Sequence, residues 1–124
     1  MKKEVYEKLK ELSLAFKFSW QGLQIAWKKQ RAFRQEVGMF LVLLPVIYYL
    51  RLEVEVKLCL IILLLLLLGM ELINSAIEAV IDRISTDVHP LSKEAKDLGS
   101  AAVFMVILIN IVAWFYVIYR VNFN

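Results

Sequence analysis

Residues 58–84 read LCLIILLLLLLGMELINSAIEAVIDRI, and the two halves of that string obey different rules. Leu58 to Met70 is apolar without interruption, whereas Glu71, Asn74, Ser75, Glu78 and Asp82 recur at steps of three, one, three and four. At the helical rotation those five polar residues fall within about 100° of one face. The string is therefore one long helix, apolar all round at first and then striped with polar groups. A helix that is hydrophobic all round lies in lipid or inside a large protein. A chain of 124 residues has no interior large enough to take it.

Composition agrees. Hydrophobic residues make up 60% of the chain and charged residues 22%, with a mean hydropathy of +0.65; an ordinary soluble domain is nearer half apolar. That excludes disordered and collagen-like chains, and the single Cys59 excludes disulfide scaffolds and cysteine-based zinc sites. Inside an apolar run, Cys59 reads as a small packing or lipid-facing residue. The chain reads as a single membrane domain over 1–124, all-α.

Outward from the central helix, three further segments follow. Over 3–28 the apolar residues Val5, Leu9, Leu12, Phe16, Leu23 and Trp27 recur at steps of three or four or their multiples, with Lys8, Lys10, Lys17 and several Glu opposite. Trp20 and Trp27 suit the headgroup region, so this is an amphipathic helix lying on the membrane. It lacks the short apolar core and cleavage site of a signal peptide, and nothing is expected to be removed. Spans are expected over 34–51, interrupted by Pro45 and ending at Tyr48-Tyr49, over 56–84, and over 97–120. A polar loop from Ser85 to Lys96 precedes the last span, with Ser92 as its candidate cap.

Nine of the fifteen Lys and Arg precede the apolar run that starts at Val37, two lie in the connector Arg51 to Lys57, three lie around the second loop, and Arg120 is near the end. The positive-inside rule then places the N-terminal helix and the Ser85–Lys96 loop in the cytoplasm, with the connector and C-terminus outside. Three short spans do not enclose a cavity alone. An oligomer is expected, with Gly99, Ser100, Ala101 and Ala102 allowing close helix approach.

Charged residues at membrane depth are costly and usually functional. Glu71 and Glu78 lie about 10 Å apart along the axis, which suits different tasks. A deep carboxylate in apolar surroundings can take a proton from an alcohol, and the shallower Glu78 and Asp82 can hold a divalent cation. The alternative is that the stripe only bonds helices together. Lys96 and Asp97 lie on the same side as Asp82 and His89, where a lysine suits phosphate; the pair also fits a helix start with a solvated neighbour. From its own surroundings, His89 beside Pro90 reads as a loop hydrogen-bonder. No P-loop, dinucleotide-binding fingerprint or G-x-S-x-G elbow is present. Nucleic acid is disfavoured because the basic residues sit on membrane-flanking segments, and a channel does not fit this size and charge pattern.

The string Glu71-Leu72-Ile73-Asn74-Ser75-Ala76-Ile77-Glu78-Ala79-Val80-Ile81-Asp82-Arg83, followed by Ala95-Lys96-Asp97-Leu98-Gly99-Ser100-Ala101-Ala102-Val103, resembles the prokaryotic diacylglycerol kinase family. The likeness extends to Ser19-Trp20-Gln21-Gly22-Leu23, Ala26-Trp27 and Ala32-Phe33-Arg34-Gln35-Glu36, and the last stretch favours the diacylglycerol branch over the undecaprenol kinases. The resemblance implies a homotrimeric lipid kinase of the bacterial inner membrane, acting in phospholipid metabolism, with sites shared between subunits at the cytoplasmic face. It implies Glu71 as general base on the lipid hydroxyl, Asn74 as its polar neighbour, and Glu78 as ligand to the Mg2+ on ATP. Asp82, Asp87, His89, Lys96 and Asp97 would lie at the nucleotide. Trp20, Ala32, Phe33, Arg34, Gln35, Glu36, Ser100, Trp114 and Tyr119 would line the lipid groove.

Three positions depart from the family pattern. Gln30 stands where a second metal-binding Glu is usual, Glu11 where an Arg is usual, and Phe18 where a Tyr is usual. An amide oxygen at Gln30 can coordinate magnesium without adding charge, which lowers metal affinity. Two alternatives follow: a polyprenol kinase, and a non-enzymatic trimeric homologue.

Overall fold

The computed structural model describes residues 2–84, 87 and 89–123. It contains four helices: α1 (Lys2–Lys29), α2 (Arg31–Tyr49), α3 (Val54–Ile84) and α4 (Pro90–Phe123). α2, α3 and α4 are each long and apolar enough to cross a membrane, which gives the expected all-helical membrane architecture. With 31 residues, α3 runs about 46 Å against a hydrocarbon core of about 30 Å. One end of it must stand in the headgroup region, and the polar stripe occupies its C-terminal part.

A single extended residue, Gln30 (φ −101°, ψ 113°), separates α1 from α2. The Gln30 N–H still donates to the Ala26 carbonyl at 2.8 Å, so the chain turns without unwinding α1. Across the corner, Arg34 Nη1 donates to the Trp27 carbonyl at 2.8 Å. A cation thus meets the last carbonyls of α1, where the helix dipole favours it. α2 continues through Pro45 to Tyr49; such breaks in the backbone ladder are tolerated in membrane helices where neighbours and local adjustment compensate.

α4 lies along α3, α2 also packs on α3, and the main contact of α1 is with α2. Near one end of the bundle Ile47, Leu60, Leu64 and Val117 form a buried cluster, flanked by Phe40, Leu43 and Trp114. Leu67, Val103 and Val106 form a second cluster nearer the polar stripe. Between them, Asn110 Nδ2 donates to the Val106 carbonyl at 3.0 Å and to the Leu63 carbonyl of α3 at 3.1 Å. At the far end Arg120 pairs with Glu53 through Nη2–Oε1 at 3.2 Å and Nη1–Oε2 at 3.4 Å. Leu41, Val42, Ile62, Leu65, Val112 and Phe115 face outward, an apolar exterior of the kind that lipid covers. The α1 residues Val5, Leu9, Leu12 and Phe16 are likewise more than half exposed.

Two expectations are corrected. The polar loop expected over 85–96 is helical from Pro90 onward, because proline is favoured at the first helical position, where its missing N–H costs nothing. The cap is not Ser92, which lies inside the helix, but His89. The Leu91 N–H donates to His89 Nδ1 at 3.2 Å, and the Lys93 N–H donates to the His89 carbonyl at 3.1 Å. Ser85, Thr86 and Val88 of that loop lie outside the described residues. In the small-residue stretch, Gly99 is buried against α3 of the same chain, while Ser100 and Ala101 are exposed.

Candidate active site

The stripe of α3 is graded in depth. Glu71 is 6% exposed and Asn74 9%; Ser75 and Glu78 are half-buried, and Asp82 is exposed. Gly99 makes this packing possible, because a Cβ there would sit 2.5 Å from Asn74 Oδ1. Only a glycine lets α4 come so near the stripe. Asn74 Oδ1, Ser75 Oγ and, across on α2, Glu36 Oε2 are buried with no hydrogen-bond partner. A buried acceptor left unmade costs about 1–3 kcal/mol. These three, on α2 and α3, give this region hydrogen-bonding capacity that the packing does not consume.

The charge of Glu71 acts on Glu36 across the α2–α3 contact, and that of Glu78 acts on Glu71 along α3. Among the described residues no three His, Cys, Asp or Glu side chains form a group that could hold a metal. Glu78 makes no hydrogen bond or ion pair among them, and its half-buried carboxylate suits a cation that brings other oxygen ligands with it. Gln30 is half-buried at the α1–α2 corner.

Beyond the stripe, Lys96 Nζ donates to Asp82 Oδ1 at 2.6 Å and ties α4 to α3. Asp97, next in sequence, pairs instead with Lys93 on its own helix. Lys96 and Asp97 thus serve different partners here. Asp87 is exposed, and His89 is a helix cap.

A groove of about 450 Å³ runs along the bundle from Gln35 and Glu36 past Leu64 and Asn110 to Ile118. Of the residues expected at a lipid groove, Gln35, Glu36 and Trp114 line it. Phe33 is buried and Arg34 caps α1; Trp20, Ala32, Ser100 and Tyr119 are exposed away from it. Asn110 is the lining residue that sequence reasoning missed. Its signal was present, since an amide alone in a long apolar run must find a partner or be conspicuous.

A model of the prokaryotic diacylglycerol kinase family matches residues 17–118, from within α1 to near the end of α4. The chain belongs to the prokaryotic diacylglycerol kinase family. It is accordingly an enzyme, a kinase of a bacterial membrane family. It is 44% identical over 99 residues to the diacylglycerol kinase of Escherichia coli strain K12, covering 78% of this chain and 80% of that one. The diacylglycerol kinase of Pseudomonas aeruginosa is 42% identical over 106 residues, 86% of each chain. That of Helicobacter pylori strain 26695 is 37% identical over 105 residues, covering 85% and 79%. The matched segment contains the Gln30 corner, the whole stripe of α3, Gly99 and the groove.

Proposed function

We propose that this chain transfers the γ-phosphoryl group of ATP to the primary hydroxyl of diacylglycerol, giving phosphatidic acid and ADP. The observation that carries this is the buried Glu71 carboxyl, within electrostatic reach of Glu36 and Glu78, in a helix able to cross a membrane. Glu36 also lines the head of the apolar groove, which suits an acyl chain.

In this scheme Glu71 takes the proton of the lipid hydroxyl, and Asn74, its polar neighbour, orients the reacting groups. The oxygen forms a bond to the γ-phosphorus as the bond to the β–γ bridging oxygen breaks, and ADP leaves with that electron pair. Positioning and charge neutralisation supply most of the acceleration in such transfers. Glu78, with the Gln30 amide as a neutral second ligand, would hold Mg2+ on the nucleotide; the ion would neutralise phosphate charge when bound. Lys96 and Asp97 would meet the nucleotide after giving up Asp82 and Lys93, with Asp82, Asp87 and His89 nearby. We place the site at the cytoplasmic face of the inner membrane, in a homotrimer whose subunits share sites. The exposed apolar flanks of α1 and α4 support association.

The test is phosphoryl transfer from labelled ATP to diacylglycerol and to undecaprenol in mixed micelles across a magnesium titration, with Glu71→Gln as control. Product formed with diacylglycerol and lost in the mutant is the expected result. Product from undecaprenol alone would move the acceptor to the polyprenols. No product from either lipid in a folded protein would leave a binding protein, the alternative that Gln30 favours.

A further inference from the structure

The connector between α2 and α3, together with the end of α4, encloses a second cavity of about 570 Å³. Arg51, Glu53 and Arg120 line its polar side, and Leu50, Leu52 and Val121 its apolar side. Glu53 and Glu71 are eighteen residues apart, about 27 Å along the helix direction. The cavity is therefore separate from the carboxylate cluster.

Three cations gather at this end, and two are engaged. Lys57 Nζ donates to the Tyr48 carbonyl at 2.8 Å. Arg120 gives two N–H groups to Glu53 and also meets Tyr116; the Glu53 bonds fix the plane of its guanidinium, whose five donors exceed these partners. Arg51 has no hydrogen-bond or ion-pair partner among the described residues. Two arginines against one glutamate leave the lining with one net positive charge, the complement of a phosphodiester. Tyr48 and Tyr49, with ring centroids 5.3 Å apart in an edge-to-face pair, mark headgroup depth. The leucines and Val121 continue the site toward acyl chains.

We propose that this cavity binds the headgroup of an anionic phospholipid. Its phosphodiester lies against Arg51 and the free N–H groups of Arg120, and a headgroup hydroxyl donates to Glu53. The ligand is a membrane lipid because the apolar wall and the tyrosines adjoin the arginines; a free phosphate would use the arginines alone.

Native mass spectrometry of the purified full chain in detergent tests it, with phosphatidylglycerol, phosphatidylcholine or inorganic phosphate as probe. Phosphatidylglycerol adducts are expected on the unmodified chain in excess of phosphatidylcholine adducts, undisturbed by inorganic phosphate. Arg51→Gln should weaken them about fivefold, the effect of one cation beside an anionic headgroup. Lys10→Gln, on exposed α1, should leave them unchanged. Val121→Trp, which narrows the cavity with Arg51 in place, should weaken them as well. Equal binding of both lipids, equal losses in Arg51→Gln and Lys10→Gln, or no loss in Arg51→Gln would each overturn the proposal. So would displacement by inorganic phosphate.

Discussion

The two halves of the α3–α4 pair are built to opposite ends. Around Leu60 and Leu64 the helices meet through apolar side chains that are almost wholly buried, and the Trp114 Nε1 packed against them is the one buried polar atom of that cluster left without a partner among the described residues. Around Glu71 and Asn74 the burial is as deep, but the buried atoms are polar, and several have no partner. In lipid, helices gain little from the hydrophobic effect and associate by close packing and hydrogen bonds. The apolar half therefore holds the geometry, and the polar half can leave acceptors unmet without the bundle separating. A site with spare hydrogen-bonding capacity needs a rigid neighbour.

The comparison is sharpest at Glu71. Glu71→Gln keeps the volume and removes the base, so turnover is expected to fall at least about 100-fold, while the purified protein keeps its helical circular dichroism and thermal midpoint. Matching losses of activity and midpoint would make Glu71 a packing residue instead. The converse change is Leu60→Ala, buried in the same cluster but outside the groove, which should cost about 2 kcal/mol in a reversible detergent-unfolding titration, with activity per folded molecule retained. A change at Leu60 that removed activity without loosening the bundle would erase the division between the halves.

Gly99→Ala tests the join. The new methyl group must push Asn74 aside, at about 1 kcal/mol or more. Activity should fall further than stability does, and adding Asn74→Ala should restore the stability but not the turnover. A milder effect is expected at the corner: Gln30→Glu should lower the magnesium concentration needed for half-maximal activity, read from the titration above, and leave the unfolding midpoint in place. The smallest shift is expected from Glu53→Gln. Exposed ion pairs contribute little, so only the unfolding midpoint should move, and turnover should not.

Much of this was legible in the residues. The all-apolar run from Leu58 to Met70 demanded a membrane helix, and the spacing of Glu71, Asn74, Ser75, Glu78 and Asp82 put them on one face. His89 beside Pro90 read as a hydrogen-bonder, and it is one, though as the cap of a helix that starts earlier than the polar composition of 90–96 suggested. Polarity there reflects exposure, and proline at a helix start is easily mistaken for a loop signal. Arg34 sits among residues expected at a groove, yet its long side chain reaches back to the carbonyls of α1. Nothing in its local spacing distinguishes the two uses.

Period and hydropathy are properties of a helix by itself, so the sequence alone determined the class of fold and the face that carries the carboxylates. How near two helices come is a property of the pair. Only the tertiary structure decided that Gly99 meets Asn74, that Lys96 reaches Asp82, that Asn110 bonds across to Leu63, and that Glu36 feels the charge of Glu71. Each depends on the mutual register of two helices, set by the summed packing of all their side chains rather than by any one stretch of the chain.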